Sequence, residues 1–155
     1  MTTTTPGTTT PGTADSQSVV IERVMPHLPE KVWRALTQVP LLDEWLLQSD
    51  FQPVTGHRFH FRAPPRPGWN GIIEGEVLIV EPYKRLAYRW NVSGEQVANG
   101  LKLLVTWTLA PVEGGTRVRM EQSGFRPNQT HASHGAKFGW TRFIDGLERV
   151  LEWWT

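Results

Sequence analysis

HGAKFGWTRFIDGLERVLEWW, residues 134–154, is the stretch that decides the fold. Its apolar residues recur at the spacing of one helical face, within about 120° of arc at about 100° per residue. Charged and polar residues fill the opposite side. The pattern predicts a long helix that begins near Ser133 as a possible N-cap and buries one apolar stripe. The stripe consists of Ala136, Trp140, Phe143, Ile144, Leu147, Val150, Leu151 and Trp154.

Four residues of this helix depart from the simple pattern. Phe138 and Trp153 fall on the polar face, so we expect both to be exposed. Gly139 and Gly146 lie together at the edge of the stripe. Each glycine costs a helix about 1 kcal/mol relative to alanine, so we expect a close neighbour at both positions.

Composition bounds the class of protein. The chain has 155 residues, 39% of them hydrophobic, which suits one globular domain with a real core. The net charge is only +1, and the basic residues are scattered rather than clustered. Both observations argue against nucleic acid as a partner. The absence of cysteine excludes disulfides, thiol catalysis and thiolate metal sites. No apolar run approaches the roughly 20 residues of a membrane span, and no secretory signal is recognisable. We therefore expect a cytoplasmic protein.

The N-terminal segment differs from the rest of the chain. Residues 1–18 are rich in Thr, Pro and Gly and carry almost no apolar side chains. Such a composition cannot bury enough surface to offset the entropy of ordering. The interpretation is a disordered tail over residues 1–18 and one domain over residues 19–155.

The segments between tail and helix predict a sheet. A β-branched run at 19–24 indicates a first strand, and two short helices follow over 28–36 and 40–45, each with a proline near its start. From there the apolar period is two, which predicts strands with short turns. These strands lie at 57–62, 72–80, 86–90, 101–109 and 117–122. The result is an α+β fold in which an antiparallel sheet has one solvated face and one dry face covered by the C-terminal helix.

Few residues of the sequence are candidates for catalysis or metal binding. Glu74 and Glu76 share a strand face opposite Ile73, Gly75, Val77 and Ile79, so alternation places them on the solvated side. A bulge would reverse that and make either a candidate general base. His57 and His60 point to opposite faces of one strand. His131 and His134 lack a third ligand of fixed spacing, so we expect no metal site. There is no nucleophile elbow and no phosphate-binding loop, and no cofactor is expected.

Five phrases carry a resemblance to a known family. They are EKVWRALTQVPLLDEWL (30–46), FQPVTGHRFHF (51–61), GEVLIVEPYKRLAYRW (75–90), VTWTLAPVEGGTRVRMEQSGF (105–125) and GWTRFIDGLERVLE (139–152). The order of elements resembles the helix-grip fold of the START-like (SRPBCC) superfamily, which includes birch-pollen-allergen-like proteins. Within it, the phrases are similar to the family named after the C-terminal domain of the heat-shock-protein-90 ATPase activator. The resemblance covers about residues 19–152 and implies the fold more strongly than any activity.

The resemblance implies a cavity between the sheet and the long helix, open toward the loops, with Trp69 at its mouth. Whether this volume is hollow or packed shut by tryptophans stays open. The residues implied as ligand-binding are Trp45, Phe59, Phe61, Trp69, Tyr88, Trp90, Val105, Trp107, Met120, Trp140, Phe143 and Leu147.

Three functional hypotheses follow, in order of preference. The first is a non-catalytic protein that binds an apolar, aromatic or lipid-like small molecule in the cavity. The second is a cyclase- or hydratase-like enzyme of the same fold, which needs an acid or base inside the cavity. The predicted dry face offers only Tyr88, His57 and Gln122 for that role, so no catalytic residue is assigned. The third is a co-chaperone-like partner of a heat-shock-protein-90-type ATPase.

Overall fold

The fold is α+β, with two short helices after the first strand and one long helix at the end, as predicted. The computed structural model describes residues 17–67, 69–94 and 97–154, except for the side chains of residues 93–99. The elements are β1 (Gln17–Met25), α1 (Pro29–Thr37), α2 (Val39–Trp45), β2 (Gln48–Ser49), β3 (Arg58–Arg62), β4 (Ile72–Glu81), β5 (Arg85–Gly94), β6 (Val97–Val112), β7 (Gly115–Phe125) and α3 (Thr130–Trp153). None of the described helices is both long and apolar enough to cross a membrane.

The predicted domain boundary lies close to the start of β1. That strand begins at Gln17, two residues before the predicted start of the domain at residue 19. The predicted disordered tail otherwise falls on residues 1–16, which lie outside the described residues.

In the described part of the chain, seven strands form one antiparallel sheet in the order β1-β7-β6-β5-β4-β3-β2. Alternation along each strand separates the two faces, so that Phe59 and Phe61 are buried while Arg58 and Arg62 are exposed. The two-residue strand β2, which pairs with the end of β3, was not predicted. It is too short to show a period.

One inward position on β4 was predicted wrongly. The alternation of Ile73, Gly75 and Val77 was extended to Ile79, but the register with β5 shifts between Val77 and Ile79. A bulge of this kind reverses the side-chain alternation beyond it. As a result Val80, rather than Ile79, packs against the core.

The long helix starts earlier than predicted. Its N-cap residue is Gln129, not Ser133, whose hydroxyl instead donates to the Thr130 carbonyl at 2.9 Å. The Gln129 side chain accepts a hydrogen bond from the Arg126 amide at 2.8 Å and donates to the Gly100 carbonyl at 3.2 Å. This anchors the start of α3 to β6, a contact between distant parts of the chain that periodicity cannot reveal.

The apolar stripe of α3 packs across the dry face of the sheet. Trp140, Ile144, Leu147, Val150 and Leu151 are buried, and Ala136, Phe143 and Trp154 pack against the core from its edge. Phe138 and Trp153 are 67% and 60% exposed, which confirms the predicted helical phase.

An ion-pair cluster also holds α3 to the edge strand. The Arg23 guanidinium of β1 donates to Asp145 at 2.6 Å and to Glu148 at 2.5 Å. One arginine on two carboxylates of successive helical turns fixes the helix against β1.

The expectation of close neighbours at both helix glycines was half wrong. A Cβ at Gly146 would lie 3.5 Å from Trp45, in ordinary van der Waals contact. A Cβ at Gly139 would meet nothing within 4 Å. Packing therefore does not account for Gly139.

Candidate functional site

Most of the space between α3 and the sheet is filled by aromatic rings. Trp107 lies at the centre, with its ring centroid 5.7 Å from Trp45 and 5.8 Å from Trp140. Trp140 in turn lies 5.2 Å from Trp90, and Trp90 lies 5.2 Å from Phe61. Edge-to-face and tilted contacts are geometries that aromatic rings prefer, and Trp45, Trp107 and Trp140 are all buried. This part of the interior is closed.

The polar atoms of the closed core are satisfied inside it. Trp45 donates to the Ala35 carbonyl at 2.8 Å, and Trp107 donates to the Tyr88 hydroxyl at 3.0 Å. Complete burial raises the pKa of Tyr88, so its phenol stays neutral at physiological pH. The Tyr88 hydroxyl thus serves as a hydrogen-bond acceptor within the packed core.

An open pocket lies at one end of the sheet, where this aromatic filling stops. Its volume is about 480 Å³, within the range of known small-molecule sites. Fifteen of the described residues line it, and their side chains are mostly apolar. They are Leu47, Ala63, Arg66, Trp69, Ile73, Trp90, Val92, Leu101, Leu103, Gln122, Phe125, Ala132, Gly135, Ala136 and Phe143.

The floor of the pocket is set by strand register. Val92 pairs with Ile73 on one side and with Leu101 on the other, which forms one apolar row across β4, β5 and β6. The next row inward pairs Trp90 with Leu103. Trp90 thus forms the wall between the closed core and the pocket.

The roof of the pocket is set by side-chain size along α3. Where the interior is closed, the helix supplies Trp140 and Leu147. Over the pocket it supplies Ala132, Gly135 and Ala136, with Phe143 as the large α3 side chain in the described lining. The same helix therefore fills one end of the sheet and leaves space at the other.

The mouth is bordered by the loop between β3 and β4. The amide of Ala63 donates to the Gly71 carbonyl at 2.8 Å and closes the base of the loop. Near the tip, backbone bonds of 2.9 and 3.0 Å join Arg66 and Trp69. The Trp69 indole donates to the Ile72 carbonyl at 3.3 Å, which turns the ring toward the pocket wall.

Comparison with known proteins gives the family. The family model described as "Activator of Hsp90 ATPase homolog 1-like protein" matches residues 26–152. The chain belongs to this family. No curated protein matches the chain.

Solved structures show the same fold in relatives of this Hsp90-activator-homolog family member. Protein MLL2253 from Mesorhizobium loti is 49% identical, with 90% of this chain and 99% of that one covered and a TM-score of 0.83. DynU16, a putative protein in the dynemicin biosynthetic locus, is 27% identical with a TM-score of 0.71, over 88% of this chain and 47% of that one. CalU16 from Micromonospora echinospora, 19% identical over 88% and 76% with a TM-score of 0.70, shares the fold.

The twelve residues that the resemblance implied as ligand-binding divide between the two parts of the interior. Trp69, Trp90 and Phe143 line the open pocket. The other nine lie outside its lining, in or beside the closed core; they are Trp45, Phe59, Phe61, Tyr88, Val105, Trp107, Met120, Trp140 and Leu147. That any of the twelve binds a ligand stays a prediction.

Most of the pocket lining was missed by sequence reasoning. Leu101 and Leu103 belong to the strand predicted at 101–109, but alternation does not tell which end of a strand the helix covers. The available signal was the run of small residues at Ala132, Gly135 and Ala136, because a helix that lacks large side chains leaves space beneath it.

The carboxylates and histidines considered for chemistry are not among the described residues that line the pocket. Glu74 and Glu76 are on the outer face of the sheet, as alternation predicts, where Glu76 lies 3.7 Å from Arg89. The imidazole of His57 contacts the Asp50 carbonyl at 3.0 Å. Among the residues that the structure describes, no three His, Cys, Asp or Glu side chains converge to hold a metal ion.

Proposed function

We propose that this protein binds an apolar or aromatic small molecule in the open pocket at the end of the sheet. The observation that carries the proposal is the contrast within one interior: the helix fills one part with tryptophan and leaves about 480 Å³ open at the other. A preformed apolar volume of this size gains binding energy from burial alone, at about 25 cal/mol per Å² of apolar surface.

The lining favours binding over acid–base catalysis. Its described polar side-chain groups are those of Arg66 and Gln122 and the indole N–H groups of Trp69 and Trp90, and none of these is a usual general acid or base. Glu74 and Glu76, which the sequence offered as candidate general bases, face solvent on the other side of the sheet. The cyclase- or hydratase-like hypothesis therefore has no group in the described lining to carry it.

The family name raises the co-chaperone hypothesis, which needs a surface rather than a pocket. The large aromatic side chains exposed on α3 are Phe138 and Trp153. They are fifteen positions apart, or about 22 Å at 1.5 Å per residue. Two separated rings do not form one apolar patch, so we prefer the small-molecule proposal.

Ala136→Trp tests the proposal. A large ring introduced at this lining position of α3 occupies the pocket volume. Titration calorimetry with methyl naphthyl ketone is expected to show saturable one-to-one binding to the wild-type protein. The variant is expected to bind at least about tenfold more weakly, since tenfold corresponds to only about 1.4 kcal/mol of lost burial.

Lys137→Trp is the matched control, because it adds the same ring to the same helix at an exposed position. It is expected to bind like the wild type. Equal affinity in all three proteins would place the ligand elsewhere. Absence of binding across a panel of aromatic and fatty ligands would contradict the proposal and strengthen the surface-partner hypothesis.

A further inference from the structure

The side-chain amide of Gln122 has a determined orientation. Gln122 is buried on β7, and its side-chain oxygen accepts a hydrogen bond from the Trp140 indole at 3.0 Å. An indole N–H only donates, so the amide atom that faces it is the oxygen. The amide NH2 group of Gln122 is therefore left as a donor.

That NH2 group opens into the pocket. Gln122 is part of the lining, and its nitrogen has no hydrogen-bond partner among the described residues. Yet no side-chain nitrogen or oxygen in the described part of the chain is both fully enclosed and without a partner. The NH2 group is therefore the hydrogen-bonding group that Gln122 offers to the pocket it lines.

Trp90 presents a second donor by the same argument. Its ring lines the pocket, and its indole nitrogen forms no hydrogen bond to a described residue. No side-chain nitrogen in the described part of the chain is both fully buried and without a hydrogen-bond partner. No described lining side chain is an unengaged acceptor, since the Gln122 oxygen already receives Trp140. The free polar side-chain groups at the inner end of the pocket are thus hydrogen-bond donors.

Arg66, at the mouth of the pocket, is also a hydrogen-bond donor. It is exposed, lines the pocket and takes part in none of the ion pairs formed by the described residues. A guanidinium only donates hydrogen bonds. Donors at both the inner end and the mouth select against ligands whose polar groups are themselves donors.

We infer that the ligand carries an acceptor oxygen, such as that of a ketone, an ester or a carboxylate, which receives a hydrogen bond from the Gln122 amide NH2. This inference rests on the proposed function and names the ligand class of the same pocket. A pure hydrocarbon in the pocket would desolvate that donor without replacing its hydrogen bond to water, which costs affinity.

A matched ligand pair tests the inference. Methyl naphthyl ketone and isopropenylnaphthalene have the same shape and differ by one oxygen in place of one methylene group. Calorimetry is expected to show the ketone bound to the wild-type protein about three- to tenfold more tightly, the range of a neutral hydrogen bond. In Gln122→Met, which keeps the side-chain length, the preference for the ketone is expected to be lost or reversed, because its oxygen is then buried without a donor.

Gln122→Met also leaves the Trp140 indole without its acceptor, so a thermal melt must show that the variant is folded. The double variant Gln122→Met/Trp140→Phe removes both partners and avoids an orphan donor. It is expected to show the same loss of preference. Equal affinity of the two ligands for the wild type, or a ketone preference that survives in these variants, would overturn the inference while the proposed function stands. Binding of neither ligand would overturn both.

Discussion

Replacing Trp140 by alanine is expected to lower the free energy of unfolding by about 3–5 kcal/mol, as for other buried large aromatics. The ring is 2% exposed and contacts Trp90, Trp107 and Phe143. Its removal leaves a cavity at the centre of the closed core and also frees the Gln122 oxygen. Because a domain of this size has about 5–15 kcal/mol in total, urea unfolding should show a large fall in midpoint.

Trp153→Ala provides the matched control, since it removes the same side chain from the same helix. Trp153 is 60% exposed, and a surface substitution of this kind is expected to change stability by about 0.5 kcal/mol or less. Equal losses in the two variants would mean that α3 does not present Trp140 to the sheet.

Gly75→Ala is the second variant with a large expected effect. Gly75 pairs with Phe59 across β3 and β4, and the Phe59 ring lies over it. An added Cβ would lie 2.3 Å from that ring. The ring cannot move aside, because Phe51, Phe61 and Tyr88 surround it at centroid distances of 4.9, 5.2 and 5.5 Å. Overpacking of this kind costs about 1–3 kcal/mol.

Gly139→Ala is the control for this substitution. It adds the same methyl group where nothing lies within 4 Å, and it is expected to stabilise the helix by up to about 1 kcal/mol. Adding Phe59→Leu to Gly75→Ala should restore part of the lost stability by making room for the methyl group. No recovery in that double variant would show that the cost arises from the strand backbone rather than from the ring.

Periodicity predicted the architecture because the burial of one face of a helix or strand sets the spacing of apolar residues along that element. The stripe on α3 and the alternation on β3, β6 and β7 identify which side chains face inward, and Trp140, Trp107 and Met120 are buried as expected. Exceptions arose where a local rule was broken by contacts from elsewhere. The bulge after Val77 reversed the alternation, and a contact between Gln129 and Gly100 joins the start of α3 to β6.

The pocket was harder to predict than the fold, because periodicity indicates which face of the sheet a side chain lies on. It does not indicate whether the space above that side chain is filled. Trp107 and Leu101 both face inward on β6, yet one lies in the closed core and the other lines the open pocket. Their difference depends on which residue of α3 lies above each one. The donor character of the pocket likewise depends on the Trp140–Gln122 hydrogen bond, which joins residues eighteen positions apart.

The pocket and the stability of the domain are linked through these same residues. Trp90 packs on Trp140 and also lines the pocket, and Gln122 both supports Trp140 and offers a donor to the open volume. A ligand that fills the pocket therefore completes the packing that the aromatic core begins. Binding is expected to raise the melting temperature, and the rise should grow with the logarithm of one plus the ligand concentration divided by its dissociation constant.

The most direct test of the pocket is to locate a bound ligand by nuclear Overhauser effects between its protons and those of the protein. With methyl naphthyl ketone, we predict contacts to Trp69, Trp90 and Phe143, and to the methyl groups of Leu101 and Ala136. Contacts confined to Phe138, or to the outer sheet face around Arg58 and Glu76, would contradict the proposed site.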